Sequence, residues 1–174
     1  RLAFWACFGL ALLSREDIAL GLALAGLLLA GYAAPRVGLA MFALGVVYFV
    51  VVRVGIMPRF GNMWFADIYR DLQAPGLRGY GAIVATLLSN PGYVLSKLVS
   101  PAKLVYVLQL AVPLACLWWR RPAFWLALLP GLAFTLLVTN RGPMFEISFQ
   151  YVYHHLPYVF AASVLALQAL ARRS

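Results

Sequence analysis

The sequence is organised by long stretches that contain no charged side chain. Five of them lack Asp, Glu, Lys and Arg altogether: 18–35, 37–52, 104–119, 122–140 and 147–171. An α-helix rises about 1.5 Å per residue, so about 20 apolar residues cross the roughly 30 Å hydrocarbon core of a bilayer. Each stretch is near that length, and a shorter apolar run precedes them. The pattern predicts an all-α, polytopic transmembrane helix bundle with about six crossings.

The composition explains why the solvent of this chain has to be mostly lipid. Hydrophobic residues make up 64% of the chain and charged residues 11%, with a mean hydropathy of +0.88. Soluble domains average about 45–50% apolar and about 25% charged residues, so this chain lacks the polar side chains that would cover a globule in water. Strand-type alternation is absent, and backbone amides in lipid must be bonded within the segment, which favours helices. A cytosolic enzyme, a disulfide-stapled secreted module and a disordered tail are excluded.

The formal charge of +9 does not indicate a nucleic-acid partner. The basic residues occur singly or in pairs between the apolar runs, as they do at the ends of membrane spans, and no basic face with interleaved aromatic side chains can be drawn. Cys7 and Cys116 lie inside apolar runs without a Cys or His at metal-binding spacing, so they are predicted to be small hydrophobic residues. The expected partner is membrane lipid.

Residues 1–174 are predicted to form a single transmembrane domain of a larger membrane protein. The first apolar run, 2–13, is too short to span a bilayer alone. A signal peptide is the rival interpretation, but another membrane-type segment follows within a few residues instead of a soluble domain. We therefore expect this run to be the end of a helix that begins upstream.

The charge-free stretch 79–96 departs from the pattern of single spans. Asn90, Pro91 and Gly92 form a turn signal in its middle, and Pro and Gly break helices. We predict two short helices at the membrane interface here, as part of the long connection 58–103. A seventh crossing is the alternative.

The acidic residues are segregated along the chain. With six crossings, the first, third and fifth connections share one side, and they hold all five acids, Glu16, Asp17, Asp67, Asp71 and Glu146. The opposite turns and the C-terminal end hold Arg36, Arg120, Arg121, Arg172 and Arg173. Short basic loops face the cytoplasm by the positive-inside rule, although the third connection also carries Arg59, Arg70, Arg78 and Lys97. We predict a multi-pass protein of the inner (plasma) membrane with a cytoplasmic C terminus.

The link after the first run holds the strongest local site candidate, Arg15, Glu16 and Asp17. Ser14 followed three residues later by Asp17 is typical of a capping box at a helix start. That interpretation leaves Arg15 unexplained, because its planar set of donors at a membrane boundary suits a lipid phosphate or pyrophosphate. A cap alone and a cap combined with a phosphate site both remain open.

The start of the last span carries a second candidate. Glu146, Gln150, His154 and Tyr158 recur every four residues, so a continuous helix would align them as a polar stripe. Such a stripe would face the bundle interior or a watery cleft, because polar groups are costly in lipid. The alternative is an aromatic belt at the membrane surface, to which Tyr151 would belong together with Tyr153 and Tyr158. A metal site is not expected, since adjacent histidines on a helix point about 100° apart.

A weaker candidate lies in the long connection. Asp67 and Asp71 are one helical turn apart, with Tyr69 nearby, and paired carboxylates can bind a divalent cation or act as a general base. A solvated face of a short surface helix explains the same pattern. No phosphate-binding loop, dinucleotide fingerprint or nucleophile elbow is present, so no cofactor is assigned beyond this divalent cation.

Five segments carry a resemblance to a known family. They are SREDIAL (14–20), IMPRF (56–60), LVSPAKL (98–104), QY (150–151) and LP (156–157). In order and spacing the chain resembles the later part of the prokaryotic membrane proteins grouped as domain-of-unknown-function family 2079, which has Lys where this chain has Arg15. The resemblance extends to the GT-C superfold of glycosyltransferases and implies a polyprenyl-phosphate sugar donor on the extracytoplasmic face. It places the principal catalytic acid in a first external loop that no segment of this chain matches.

Three classes of function follow from these observations. The resemblance favours a membrane glycosyltransferase, a transporter or flippase would use the polar stripe as its pathway, and a non-catalytic membrane protein is the third class. For the enzyme, we predict that Arg15 binds the donor phosphate and that Glu16 or Asp17 orients Arg15 or an ion. Glu146 and His154 are predicted to border the same cleft, because the first and fifth connections share a side.

Overall fold

The computed structural model describes residues 2–60, 64–73, 79–138, 142–148 and 150–172, and all the regular structure in these ranges is helical. The α-helices are α1 (Leu2–Ser14), α2 (Ile18–Tyr32), α3 (Pro35–Val50), α4 (Tyr80–Ser89), α5 (Pro91–Leu98), α6 (Pro101–Ala111), α7 (Trp125–Leu136) and α8 (Leu156–Ala171). Short 3-10 helices and one π-helical segment connect them. The predicted all-α class is confirmed for these residues.

Helices α2 and α3 form a tight antiparallel pair in which glycines replace side chains at the contact. A Cβ atom built on Gly26 would lie 2.7 Å from the carbonyl oxygen of Gly38, and one built on Gly45 would lie 2.9 Å from that of Ala19. A Cβ on Gly38 would overlap the backbone of Gly26 and Ala30. Small residues let two helix backbones approach closely, and this contact keeps α2 in the centre of the molecule.

The third helical segment is longer than the sequence predicted. Beyond Val50 the chain continues as a π-helix over Val51–Ile56 and a 3-10 turn over Met57–Arg59, which extends the segment to 25 residues. The predicted charge-free stretch ended at Val52. π-helical segments are rare. This one contains Arg53.

The stretch 79–96 forms two short helices, so the seventh crossing is wrong. Helix α4 ends before Asn90, whose side chain accepts a hydrogen bond from the Tyr93 amide at 3.3 Å and caps α5. Pro91 occupies the first position of α5, where its missing N–H costs nothing. Helix α5 then meets the next helix at a bend of 66°.

The predicted continuous helix over 104–119 is wrong. Helix α6 ends at Ala111, and a 3-10 turn leads to Ala115 and Cys116, whose φ angles of 48° and 55° are left-handed. This conformation costs a non-glycine residue about 1–2 kcal/mol. The Cys116 amide donates to the Ala111 carbonyl at 2.8 Å and closes the turn before a 3-10 helix over Leu117–Arg120.

Helices α7 and α8 are antiparallel and shorter than their charge-free stretches. Leu128 of α7 packs against Val159 of α8, while a Cβ on Gly131 would lie 2.9 Å from the His154 Cβ. The predicted helix over 147–171 begins only at Leu156, because the chain before it forms a 3-10 helix over Gln150–His154.

Many large apolar side chains lie on the outside of the molecule, as in a chain surrounded by lipid. In the described part of the chain, Pro35–Arg59 is the one helix whose length and hydropathy suit a bilayer crossing, and the bent pair Pro91–Leu98 and Pro101–Leu114 could form a second, broken span. Helices α1, α2 and α8 and the segment Pro122–Leu136 are apolar but shorter. A bundle of six full spans is therefore not confirmed.

The two ends of α2 differ in charge. Asp17 precedes its first residue and lies 3.4 Å from His154, whereas Tyr32 at its last residue lines a cavity together with Arg120 and Arg121. The helix has 15 residues, so these ends are about 22 Å apart. The connection count predicted the acidic and the basic residues on opposite sides of the membrane. At α2 they lie at opposite ends of the helix, Asp17 at the first end and Arg120 and Arg121 at the second.

Candidate functional site

The link between α1 and α2 is organised by an ion pair instead of a capping box. Arg15 donates from Nε and Nη2 to the two carboxylate oxygens of Asp17, at 3.2 and 2.9 Å. Asp17 occupies the cap position of α2 without a side-chain cap bond, and the Ser14 hydroxyl donates back to the Ala11 carbonyl at 2.7 Å. The predicted capping box is wrong because a bidentate guanidinium competes successfully for the carboxylate.

Tyr151 and His154, which the sequence placed at the start of the last span, approach this ion pair from the other side. The Arg15 guanidinium carbon lies 5.1 Å from the centre of the Tyr151 ring, and His154 Nε2 lies 3.4 Å from Asp17 Oδ2. The imidazole of His154 stacks on Phe134 of α7, with ring centres 5.3 Å apart and planes 4° apart. The first connection thus contacts the start of the predicted last span, with Arg15 on Tyr151 and Asp17 beside His154.

The His154 imidazole is kept neutral by its surroundings. It belongs to the 3-10 helix that precedes α8 and is buried, and this desolvation lowers its pKa below 6.5. The Asp17 carboxylate acts against the shift, while the Arg15 guanidinium adds to it. At 3.4 Å the contact with Asp17 is within ion-pair range, but it is not a hydrogen bond, so Nε2 is a buried nitrogen without a hydrogen-bond partner.

A cavity of about 450 Å³ opens beside this cluster. Its lining is mostly apolar and includes four residues with polar side chains, Glu16, Asp17, Arg53 and Tyr69. The apolar wall is formed by Leu20, Phe49, Val54 and Phe134. Tyr69 is fixed there because its hydroxyl donates to the Phe134 carbonyl at 2.9 Å. The cavity therefore combines charges of both signs with a surface that suits a hydrocarbon chain.

Arg53 is the site residue that the sequence reasoning missed. It follows the charge-free stretch 37–52 directly, a position that any arginine at a membrane interface shares. The structure places it in the π-helical segment, where its Nη1 also donates to the Met57 sulfur at 3.4 Å. Only the local helix geometry turns it into the cavity, and no sequence signal predicts a π-helix here.

The predicted polar stripe of the last span does not form. Glu146 is exposed and lines another cavity of about 450 Å³ together with Pro101 and Gln109, apart from Asp17. Gln150 is also exposed, and Tyr158 packs against Gly21 of α2. Four-residue spacing aligns side chains only in an α-helix, and the described residues 146–148 and 150–154 are not α-helical. The structure therefore does not bring Glu146 and His154 into one cleft, and the polar stripe on which the transporter alternative rested is not formed among the described residues.

Of the candidate residues in the long connection, Tyr69 lines the cavity and Asp71 does not. Asp71 is placed by its backbone carbonyl, which accepts a hydrogen bond from the Tyr93 hydroxyl at 2.8 Å. The side chain of Asp67 lies outside the described residues. Within the described part of the chain, no three His, Cys, Asp or Glu side chains are grouped as metal ligands.

A buried pair of polar side chains lies next to this site. The Tyr106 hydroxyl of α6 is 2.7 Å from His155 Nε2, and both side chains are fully enclosed. His154 and His155 thus face different partners, as adjacent positions on a helical turn require. Burial lowers the pKa of His155 to about 4, so this imidazole is also neutral at pH 7.

A comparison with models of protein families finds a match over the whole chain. The model for the family described as "Predicted membrane protein (DUF2079)" matches residues 1–174. The chain belongs to the DUF2079 family. The resemblance stated from the sequence segments is thereby confirmed, and all residues of the cavity lie inside the DUF2079 domain. No curated protein and no solved structure matches this DUF2079 chain.

Proposed function

We propose that this DUF2079 protein is a membrane glycosyltransferase of the GT-C type whose α2 cavity binds a polyprenyl-phosphate sugar. One observation carries the proposal: the charged residues Glu16, Asp17 and Arg53 line a mostly apolar space of about 450 Å³. A lipid-linked sugar has three parts, a phosphate, hydroxyl groups and a hydrocarbon chain. Volumes of about 300–1,000 Å³ are ordinary for ligand sites.

Arg53 is the proposed phosphate ligand. Its guanidinium lines the cavity, and a guanidinium binds phosphate oxygens through two parallel hydrogen bonds. Arg15 is less suited to that role than its sequence position suggested, because two of its nitrogens already donate to Asp17 and its face lies against Tyr151. We assign Arg15 to positioning the Asp17 carboxylate at the cavity wall.

Glu16 is the proposed ligand for sugar hydroxyls. Its carboxylate lines the cavity and forms no hydrogen bond or ion pair with the described residues, so its oxygens can accept hydrogen bonds from a ligand. The family resemblance assigns the principal acid to a loop that has no match here. The proposed contribution of Arg53, Glu16 and Asp17 is therefore donor binding and orientation, which hold the reacting groups in place.

The proposed orientation puts the cavity on the extracytoplasmic side of the inner membrane. The other end of α2 carries Arg120 and Arg121 near the end of α8, and short basic segments remain in the cytoplasm. In this proposal the C terminus is cytoplasmic and the acidic end with Glu16 and Asp17 is outside. A lipid-linked donor in the outer leaflet would reach the cavity from the side of α3.

Sugar transfer and donor binding in membranes containing variants of the full-length protein test the proposal. Arg53→Gln removes the phosphate ligand, and Arg70→Gln is the matched control because Arg70 is exposed outside the cavity. We expect binding of a radiolabelled polyprenyl-phosphate sugar to fall about tenfold or more for Arg53→Gln and to remain unchanged for Arg70→Gln. Equal binding by both variants would contradict the proposal.

A further inference from the structure

A second cavity, of about 470 Å³, lies at the opposite end of α2. Its walls are apolar and come from α2, α8 and the segment before α7; they include Leu28, Leu29, Phe124 and Leu165. Arg120, Arg121 and Tyr32 supply its polar groups. We call this space the basic groove.

Within the described part of the chain, the two arginines of the basic groove have no carboxylate partner. Arg121 donates from Nη2 to the Leu165 carbonyl of α8 at 2.6 Å, which holds its guanidinium at the groove. Arg120 forms no hydrogen bond or ion pair with the described residues, and Asp17, the carboxylate that pairs with Arg15, lies at the other end of α2. Two adjacent cations without a counter-charge favour an anionic ligand.

Tryptophans next to the basic groove indicate its depth in a bilayer. Trp118, Trp119 and Trp125 form a cluster with ring centres 5.2 to 6.0 Å apart, directly beside the two arginines in sequence. Tryptophan collects at the level of the lipid headgroups. We therefore expect the guanidiniums of Arg120 and Arg121 at the level of the lipid phosphates and the apolar wall toward the hydrocarbon.

We propose that the basic groove binds one anionic glycerophospholipid. Its phosphate lies between Arg120 and Arg121, where guanidiniums offer paired donors, and an acyl chain covers the wall formed by Leu28, Leu29 and Leu165. An anionic headgroup matches the two unpaired cations, and anionic lipids are concentrated in the cytoplasmic leaflet, to which the positive-inside rule assigns this end. The site is independent of the donor cavity, which is about 22 Å away along the 15 residues of α2.

Native mass spectrometry of the full-length protein in a neutral detergent tests this site. Phosphatidylglycerol is added as the anionic lipid, phosphatidylcholine as the zwitterionic lipid and glycerol 3-phosphate as the phosphate without acyl chains. The groove variant is Arg120→Gln with Arg121→Gln. Its matched control is Arg36→Gln with Arg172→Gln, which removes the same charge from exposed arginines that do not line the groove.

We expect the unmodified protein to retain one phosphatidylglycerol in preference to phosphatidylcholine, and glycerol 3-phosphate not to displace it. Affinity for phosphatidylglycerol should fall about tenfold or more in the groove variant and stay unchanged in the control. Leu29→Trp, which fills the wall without a change of charge, should also weaken binding. Arg120→Gln alone serves if loss of the Arg121 bond to Leu165 impairs folding.

Three results would overturn the proposal. An equal loss in the groove variant and the control would mean diffuse surface attraction. Displacement by glycerol 3-phosphate would mean a site for a free anion, and unchanged binding in both the groove variant and Leu29→Trp would place the lipid elsewhere. Failure here leaves Arg53 and the donor cavity untouched, because neither the variants nor the lipids involve that end of α2.

Discussion

The two ends of α2 carry cavities of nearly equal volume, about 450 and about 470 Å³, but opposite electrostatic designs. At the first end, the Arg15 cation is neutralised internally by Asp17, and Glu16 adds a carboxylate. At the second end, Arg120 and Arg121 have no described carboxylate partner. A cavity of mixed charge suits a ligand with hydroxyls as well as a phosphate, whereas unpaired cations suit a simple anionic headgroup. The two cavities therefore differ in how their charged residues are paired and not in their volume.

The largest effect on stability is expected at the α2–α3 contact, because the cavities at both ends of α2 depend on it. Gly38→Ala adds a Cβ that overlaps the backbone of Gly26 and Ala30, and backbone atoms cannot rotate away. We expect a loss of about 3 kcal/mol, the upper part of the range for overpacking, with donor binding and lipid binding both impaired. Thermal unfolding in detergent measures it. The control is Gly31→Ala in α2, where an added Cβ meets nothing within 4 Å; equal stability of the two variants would contradict the close α2–α3 contact.

Asp17→Asn should affect the first end alone. It leaves the part-buried Arg15 guanidinium without its carboxylate, and loss of a hydrogen-bonded charged partner costs about 1.5–3 kcal/mol. We expect lower thermal stability and weaker donor binding, with phosphatidylglycerol binding at the basic groove unchanged. Glu16→Gln is the control for stability because Glu16 has no described ion-pair partner. Loss of lipid binding in Asp17→Asn would show that the ends are not independent.

Substitutions of Arg15 sharpen the assignment of roles at the first end. If Arg15 positions Asp17, Arg15→Ala should weaken donor binding by about tenfold, which is the loss of one charge-assisted contact. Arg15→Lys should be less harmful, since lysine keeps the charge but not the fork. The donor-binding assay measures both. An effect of Arg15→Ala larger than that of Arg53→Gln would reverse the roles proposed for the two arginines.

The smallest effect concerns pH. Burial holds the folded-state pKa of His154 below 6.5, so the folded protein favours the neutral imidazole. The resulting stabilisation is fully present above pH 6.5 and is lost as the pH falls below that value toward the folded pKa. The unmodified protein should therefore lose more thermal stability between pH 7.5 and pH 5.5 than His154→Gln. Burial is the first cause of the lowered pKa of His155 and His154 only the second, so His155 contributes to the pH dependence of both proteins and the difference reports mainly on His154.

The sequence predicted the parts of this structure that depend on local hydrophobicity and chain order. Helices α2 and α3 follow from charge-free runs, and the break at Asn90 follows from the residue types present. The connection count predicted that the first connection and the start of the last span share a side, and Arg15 does contact Tyr151, although Glu146 lies elsewhere. These features need no knowledge of side-chain packing.

The remaining features depend on tertiary contacts that leave no pattern in the sequence. Left-handed turns are expected at Gly or Asn, but here Ala115 and Cys116 adopt them. The π-helix that turns Arg53 into the cavity has no residue signature. The stripe from Glu146 to His154 failed because its spacing is meaningful only in an α-helix, and the chain there packs as a 3-10 segment against Gly131.

The most direct test of the central claim is photo-crosslinking with a polyprenyl phosphate that carries a photoactivatable group beside the phosphate. The full-length protein is irradiated in membranes, and labelled peptides are identified by mass spectrometry. The account predicts labelling of the wall at the first end of α2, at Leu20, Phe49 or Val54, and loss of that labelling in Arg53→Gln but not in Arg70→Gln. Labelling confined to the basic groove at Leu29 or Phe124, or labelling that Arg53→Gln leaves unchanged, would contradict it.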